Sequence, residues 1–324
     1  MNCALEFKRL QVNGLLETLR LRSLFLRRDR ASFNIVRSMR EPNLKNIKTH
    51  LTALTGERNP YTTPEQLTLA GEYVRDQMRS ANLTVRQETV PFDGMRFPNI
   101  LGLKKGSGPA SGTFVLGAHY DTVEKSPGAD DNASAVAALL EIAHCLKTTR
   151  LKQSLLFSGF TLEEYGFVGS HYFLDQAGNE KESFTGMISL EMVGFCNPEP
   201  GSQTYPPYID AAKYPDSGDF IAVVGNEPSA QLTHSIADSM VQAVPDLPVE
   251  RLVVPGRGGQ FREVTLSDHS PFWENGIPAV MVTDTAFLRN PNYHQPSDTL
   301  DTLDMEFIGK IVTAISCFLE QHLG

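Results

Sequence analysis

The sequence of 324 residues contains only four cysteines, and no two of them form the Cys-x-x-Cys pair typical of a thiolate zinc site. Because Cys3, Cys145, Cys196 and Cys317 are far apart along the chain, we predict free thiols rather than a disulfide framework. The chain also lacks any apolar run that approaches the about 20 residues of a transmembrane helix. These absences argue against a disulfide-rich scaffold, and we expect no transmembrane segment.

Positive charge is scarce outside the N-terminal segment. Residues 1–40 contain nine lysines and arginines against three acidic residues, a balance of +6, whereas the whole chain has a net charge of −9. We therefore expect no nucleic-acid partner, because nucleic-acid binding needs basic surfaces. Residues 1–40 are predicted to be a basic, poorly ordered or loosely docked extension; an organelle presequence or an upstream start codon would produce the same composition. The segment has no clear secretion signal, which by sequence favours the cytoplasm.

The rest of the chain alternates between apolar segments of strand length and amphipathic segments of helical length. This alternation predicts one α/β domain over residues 41–324, a three-layer sandwich with a mixed, mostly parallel central sheet. We expect residues 99–103 and 113–116 to form neighbouring strands, and residues 195–215 and 255–265 to form long surface loops. Further strands are predicted at 83–91, 155–160, 186–192, 220–224 and 278–283, and helices at 63–81, 134–146, 229–241 and 305–322.

Five residues with side chains that suit metal binding follow one another in the order His, Asp, Glu, Glu, His. Nitrogen and oxygen donors in this mixture suit zinc, and two ions that share one carboxylate need about five side chains. Most of the five come at the carboxyl ends of predicted strands, where ligands of open α/β sheets gather. The pattern therefore predicts a two-metal hydrolase. The five residues are His119, Asp131, Glu164, Glu191 and His294.

Two further acids have positions that suit supporting roles. Asp121 follows His119 by two residues, so both side chains share one face of an extended segment and Asp121 can fix the imidazole tautomer. Glu163 and Glu164 are adjacent, so in an extended chain one would bind metal while the other faces substrate as a general base. Each feature alone has a simpler explanation, such as a polar strand end or a charged loop, and Asp131 alone could belong to a helix cap.

Several motifs together resemble those of the dizinc aminopeptidases related to bacterial leucyl aminopeptidase, with glutamate carboxypeptidase and glutaminyl cyclase as more distant relatives. The resemblance covers the chain from about Leu51 to Leu319 and implies a zinc exopeptidase fold. The motifs that carry it are Gly117-Ala118-His119-Tyr120-Asp121, Gly128-Ala129-Asp130-Asp131-Asn132-Ala133-Ser134, Glu163-Glu164-x-Gly, Ser267-Asp268-His269, and His294 with Asp298-Thr299-Leu300.

The resemblance implies a role for each residue. His119 and Glu191 would hold one zinc ion, Glu164 and His294 the second, and Asp131 both. Glu163 would be the general base, Asp121 the partner of His119, and Ser267 a neighbour of His294. Family members often have Asp at the position of Glu191, and a tyrosine that assists catalysis in a relative aligns with Val264. No oxyanion stabiliser is therefore predicted, although Arg257 and Arg262 lie nearby in the sequence.

The function that the resemblance implies is that of an aminopeptidase with two Zn²⁺ ions, which uses a water between the metals to hydrolyse peptides with a free N-terminus. Three alternatives remain: glutaminyl cyclase-like acyl transfer on one zinc ion, carboxypeptidase-type hydrolysis, and a binding protein without catalysis. Phe195, Tyr205, Tyr208 and Phe287 could line an apolar substrate pocket, or could simply pack within loops. The sequence does not predict an oligomeric state.

Overall fold

The computed structural model describes residues 41–108 and 112–324, so the predicted extension at residues 1–40 lies outside the described residues. Eight strands form one mixed sheet in the order β1-β2-β4-β3-β5-β8-β6-β7. The strands are β1 (Thr84–Phe92), β2 (Met95–Lys104), β3 (Thr113–His119), β4 (Ser154–Phe160), β5 (Phe184–Glu191), β6 (Ile221–Asn226), β7 (Val249–Val254) and β8 (Ala279–Thr283).

Helices cover both faces of this sheet, as the alternation of apolar segments predicts. They are α1 (Leu44–Leu54), α2 (Pro64–Ser80), α3 (Ala135–Cys145), α4 (Val168–Ala177), α5 (Ala230–Ala243), α6 (His269–Glu274) and α7 (Met305–Leu323). Helices α1, α2, α3, α5 and α7 contribute to one apolar core, and α4 and α6 to a second core on the opposite face. The α/β sandwich around a mixed sheet is therefore confirmed. Within the described residues, no helix is long and apolar enough to cross a membrane.

The central strands are apolar on both sides because both sheet faces are covered. In β3, Phe114 and Leu116 belong to the first core, while Val115 between them belongs to the second. Each of these side chains is fully buried, which stabilises the fold by roughly 1.5–3 kcal/mol per side chain. A near-continuous apolar strand is thus a consequence of the three-layer arrangement.

Two features of the sheet differ from the expectation. Strands β2 and β3 are not neighbours, because β4 lies between them and pairs with both. The α3 crossover brings β4 beside β3 in parallel, and β2 then joins the outer edge of β4 in the antiparallel sense. Strand β7 is also absent from the sequence prediction, since Glu250 and Arg251 interrupt the apolar pattern of this edge strand. The short helices α4 and α6 were likewise not predicted.

The connections of β3 determine where a site can form. The chain leaves β3 through α3 to reach β4 on one side, and then passes through α4 to β5 on the other side of β3. Strands β3, β4, β5 and β8 are parallel, so their carboxyl ends share one edge of the sheet. Such a reversal of strand order opens a crevice at that edge. His119, the last residue of β3, lies at this point.

Candidate metal centre

The five predicted metal ligands come together at this edge, and Asp131 lies in the middle of them. One oxygen of Asp131, Oδ1, is 3.4 Å from Nε2 of His119, and its other oxygen, Oδ2, is 3.0 Å from Nε2 of His294. Glu191 lies on the His119 side, with 3.5 Å between Oε1 and Nε2, and Glu164 lies on the His294 side, with 3.1 Å between Oε2 and Nε2. The arrangement therefore contains two adjacent groups of donors that share one carboxylate.

Zinc ions fit these donors. Two atoms bound to one zinc ion at about 2.0–2.1 Å in tetrahedral geometry lie roughly 3.4 Å apart, close to the separations within each group. Nε2 of His119 and Nε2 of His294 are also buried without a hydrogen-bond partner among the described residues, although carboxylates surround them. Since an unsatisfied buried nitrogen is costly, a metal bound to each nitrogen explains the arrangement.

The charges of the cluster also indicate that it needs bound cations. Burial disfavours the imidazolium of His294, but the carboxylates of Asp131 and Glu164 outweigh it and raise its pKa to about 10. Burial and the neighbouring Asp131 raise the pKa of the Glu164 carboxyl to about 7, against the lowering effect of His294. Burial, with the repulsion of Glu191 and Glu164, also raises the pKa of Glu163 well above its ordinary value, although His119 opposes this. Without cations, the cluster must therefore retain protons to offset its negative charge.

The backbone around Asp131 is fixed by a carboxylate from the His294 loop. The side chain of Asp298 accepts hydrogen bonds from the backbone N–H groups of Asp130 (2.8 Å) and Asp131 (3.1 Å). The turn begins at Gly128, whose φ of 60° lies in the left-handed region that favours glycine. Asp298 thus joins the segment that presents Asp131 to the segment that presents His294.

Asn132 and Asp130 connect the same segment to the carboxyl end of β5. Asn132 donates from Nδ2 to the carbonyl of Leu190 (3.1 Å) and accepts from the N–H of Met192 (2.9 Å). Its side chain therefore binds the backbone on both sides of Glu191. Asp130 accepts from the N–H of Gly194 (2.9 Å). No side chain in this segment caps α3. Asp130 and Asn132 therefore organise the site rather than the helix terminus.

Asp121 lies beside His119, with 3.5 Å between its Oδ1 and Nδ1 of the ring. It is fully buried and accepts backbone N–H groups from both Glu163 (3.1 Å) and Glu164 (3.2 Å). One carboxylate therefore connects the first imidazole to the loop that carries the two glutamates.

Asp121→Asn should weaken zinc binding and turnover by about 10- to 100-fold, as is typical when the partner of a metal-binding histidine is changed. Asparagine keeps the size of the side chain but removes the charge that orients the His119 ring. Zinc titration and kcat/KM on one peptide would measure both losses. Unchanged affinity and unchanged kcat/KM would contradict an orienting role for Asp121.

The side chains of the two adjacent glutamates point in different directions, but not because the chain is extended. Residues Glu163–Tyr165 form a 3₁₀ turn that follows Leu162 in the left-handed region at φ 61°. The expectation of an extended strand end is therefore wrong, although the turn still separates the carboxylates. Glu164 lies beside His294, whereas Oε2 of Glu163 is 3.9 Å from Nε2 of His119. Strained non-glycine backbone of this kind is concentrated at functional sites.

Ser267 contacts a different ligand from the one that the resemblance implies. Its hydroxyl donates to Oε2 of Glu191 at 2.7 Å and is 2.9 Å from the hydroxyl of Ser189. The side chain that contacts His294 by stacking is the ring of Tyr293, with 3.8 Å between ring centroids. Since Ser189 and Glu191 point to the same face of β5, one serine from the segment between β7 and α6 reaches both.

An apolar pocket adjoins the cleft that four of the five predicted metal ligands line. Three of the four aromatic residues considered for such a pocket, Tyr205, Tyr208 and Phe287, line it, whereas Phe195 does not. The neighbouring cleft includes Arg262 but not Arg257, and Val264 lines the pocket rather than the cleft. Pocket and cleft share Glu191, Glu263, Leu266, Phe287 and Tyr293.

Arg58 is a supporting residue that the sequence did not reveal. Its guanidinium is buried and donates to the carbonyls of Tyr120 (2.7 Å), Pro127 (3.0 Å) and Gly128 (3.0 Å). These carbonyls lie in the two segments that carry His119 and Asp131. A single arginine in a distant loop has no local pattern that would indicate this role.

Comparison with known proteins agrees with this geometry. The family model described as peptidase family M28 matches residues 99–319. The uncharacterized protein YfbL of Escherichia coli is 35% identical over 270 residues, which cover 79% of this chain and 80% of YfbL. Aminopeptidase YwaD of Bacillus subtilis is 28% identical over 248 residues, 74% of this chain but only 47% of YwaD.

Among solved structures, LapA aminopeptidase of Legionella pneumophila has a TM-score of 0.68 with this chain at 20% identity, over 87% of this chain and 72% of LapA. That likeness shows a shared fold. The family match covers more than half of the chain, and the likeness to YfbL extends over most of both proteins. The chain therefore belongs to peptidase family M28 and is a zinc-dependent hydrolase.

Proposed function

We propose that this hydrolase is an aminopeptidase that removes the N-terminal residue of peptides. The observation that carries the proposal is the position of Asp131, whose two oxygens face the two imidazoles of His119 and His294. His119 and Glu191 would hold one zinc ion, and Glu164 and His294 would hold the other. Asp131 would bind both ions. When bound, the two ions would lower the pKa of a water molecule and polarise the scissile carbonyl.

The proton transfers would belong to Glu163. Its side chain lines the cleft beside the proposed metal ligands, where a carboxylate can accept a proton and later donate it. Glu163 would take a proton from the attacking water and return it to the leaving amine. The adjoining apolar pocket would receive the side chain of the N-terminal residue, which places the scissile bond over the cleft.

Two of the three alternatives require fewer groups than the structure provides. Acyl transfer of the glutaminyl cyclase type would need one zinc ion, whereas two separate sets of three candidate ligand residues are present in the described part of the chain. Glu163 belongs to one of these sets, and a binding protein without catalysis would not need it, because Asp131 also reaches His119. Carboxypeptidase-type hydrolysis would use the same metals, and only the choice of substrate end distinguishes it.

A pair of peptides tests the proposal. The zinc-loaded protein should shorten an unblocked peptide one residue at a time from its N-terminus, and should leave the N-acetylated peptide of the same sequence intact. Mass spectrometry follows both. Shortening from the C-terminus would instead indicate a carboxypeptidase, and loss of ammonia from a peptide that begins with glutamine would indicate cyclisation. Cleavage of neither peptide would contradict peptidase activity.

A further inference from the structure

The apolar pocket beside the cleft has a floor made by one row of residues across the sheet. Glu191 of β5 is in register with Thr283 of β8, Thr283 with Ala222 of β6, and Ala222 with Glu250 of β7. Directly paired residues point to the same face of a sheet, and all four line the pocket. The row therefore begins at a proposed zinc ligand and ends at a second carboxylate.

The dimensions of this row suit a long substrate side chain. Three strand spacings separate Glu191 from Glu250, which places their Cα atoms roughly 14 Å apart. The two residues between them, Thr283 and Ala222, are small, so they leave a trough rather than a barrier. Aromatic walls formed by Tyr205 and Phe220 enclose the trough.

Glu250 differs from the other charged residues that line the pocket, because Glu191, Glu263 and Arg251 each have a partner among the described residues. No hydrogen bond or ion pair within 4.0 Å joins its carboxylate to any described residue, and its side chain is partly buried. By contrast, Tyr205 donates its hydroxyl to the carbonyl of Pro215 (2.6 Å), and Tyr208 donates its hydroxyl to Glu263 (2.8 Å). Burial raises the pKa of Glu250, although the charge of Arg251 opposes this.

The charge around the pocket also favours a cation. Its charged lining residues are Glu191, Glu250, Glu263 and Arg251. The guanidinium of Arg251 is 2.7 Å from Asp238 of α5, so its charge is already paired. Because side chains alternate along a strand, Arg251 also points away from the face that carries Glu250. The pocket thus combines apolar walls with a carboxylate at its far end that forms no close ion pair with any described residue.

We propose that Glu250 makes this pocket selective for N-terminal arginine or lysine. This inference rests on the proposed aminopeptidase function and names the substrates of that same site. Arginine and lysine have an apolar stem of three or four methylenes that would lie along the trough, with a cationic end that would reach Glu250. An ion pair in an apolar pocket is stronger than one in water, so the carboxylate discriminates in favour of these residues.

Peptides that differ only in their first residue test the inference. With the wild-type protein, kcat/KM should be about 10- to 100-fold higher for N-terminal arginine or lysine than for methionine, whose stem is similarly long but uncharged. Glu250→Gln should remove this preference by lowering kcat/KM for arginine and lysine far more than for methionine. Glu250→Lys should reverse the preference and favour N-terminal glutamate over lysine.

A control variant and the rate on the methionine peptide distinguish a failure of this inference from a failure of the proposed function. Asp246→Asn removes the same charge from an exposed side chain that pairs with Lys310, and should leave all rates unchanged. A wild-type preference for methionine, or an arginine preference that survives Glu250→Gln, would overturn the inference while the aminopeptidase function stands. Equal loss on all peptides in Glu250→Gln would mean a structural role and would also overturn it. Cleavage of no free peptide would reject the proposed function itself.

Discussion

Asp131→Asn should lose both zinc ions together, and peptide hydrolysis with them. The two oxygens of Asp131 face different imidazoles, at 3.4 Å and 3.0 Å. Asparagine keeps one oxygen but replaces the other with an NH₂ group, which cannot bind a cation. Because metal ions supply several kcal/mol of transition-state stabilisation, kcat/KM should fall by about 1,000-fold or more.

Metal analysis and kinetics on the same preparation would measure this effect. Purified wild-type protein should contain two zinc ions per chain, and the variant fewer than one. The fold should survive, because Asp298 binds the backbone N–H groups of this segment rather than the Asp131 side chain. Asp246→Asn, at an exposed aspartate that lines neither the cleft nor the pocket, is the matched control. A variant that retains two zinc ions and normal turnover would exclude a bridging role for Asp131.

The location of the site follows from features that a single sequence shows. His119 and Glu191 come directly after apolar segments, and the carboxyl ends of parallel strands meet at one edge. Local sequence therefore indicates which residues converge. It does not determine the order of the strands, since β2 and β3 are close in sequence but β4 separates them. Such pairing depends on contacts between distant parts of the chain.

The supporting contacts were the hardest part to predict. Ser267 lies close to its partner Glu191 in space, although 76 positions separate them. Arg58 similarly fixes carbonyls in a loop more than 60 positions away. Neither residue belongs to a periodic pattern, and each satisfies polar groups that become buried only after the sheet has assembled. A sequence can thus indicate the metal ligands more readily than the residues that hold them.

Glu163→Gln should retain both zinc ions while kcat falls by about 100- to 10,000-fold, the usual effect of removing a general acid–base group. Two roles compete at this position, because Glu163 lies close enough to His119 and Glu191 to be a third donor for the same ion. The distances favour the proton-transfer role: 3.9 Å separates Glu163 from Nε2 of His119, against 3.4 Å for Asp131 and 3.5 Å for Glu191.

The neighbouring residue provides the comparison that distinguishes the two roles. Glu164→Gln makes the same chemical change one position along the 3₁₀ turn, but affects a carboxylate that is 3.1 Å from Nε2 of His294. If our assignment holds, Glu164→Gln lowers zinc content, and added zinc partly restores its turnover. Glu163→Gln should instead keep its zinc, and added zinc should not restore its activity. Loss of an ion from Glu163→Gln would make Glu163 a ligand, and a different group would then have to accept the proton.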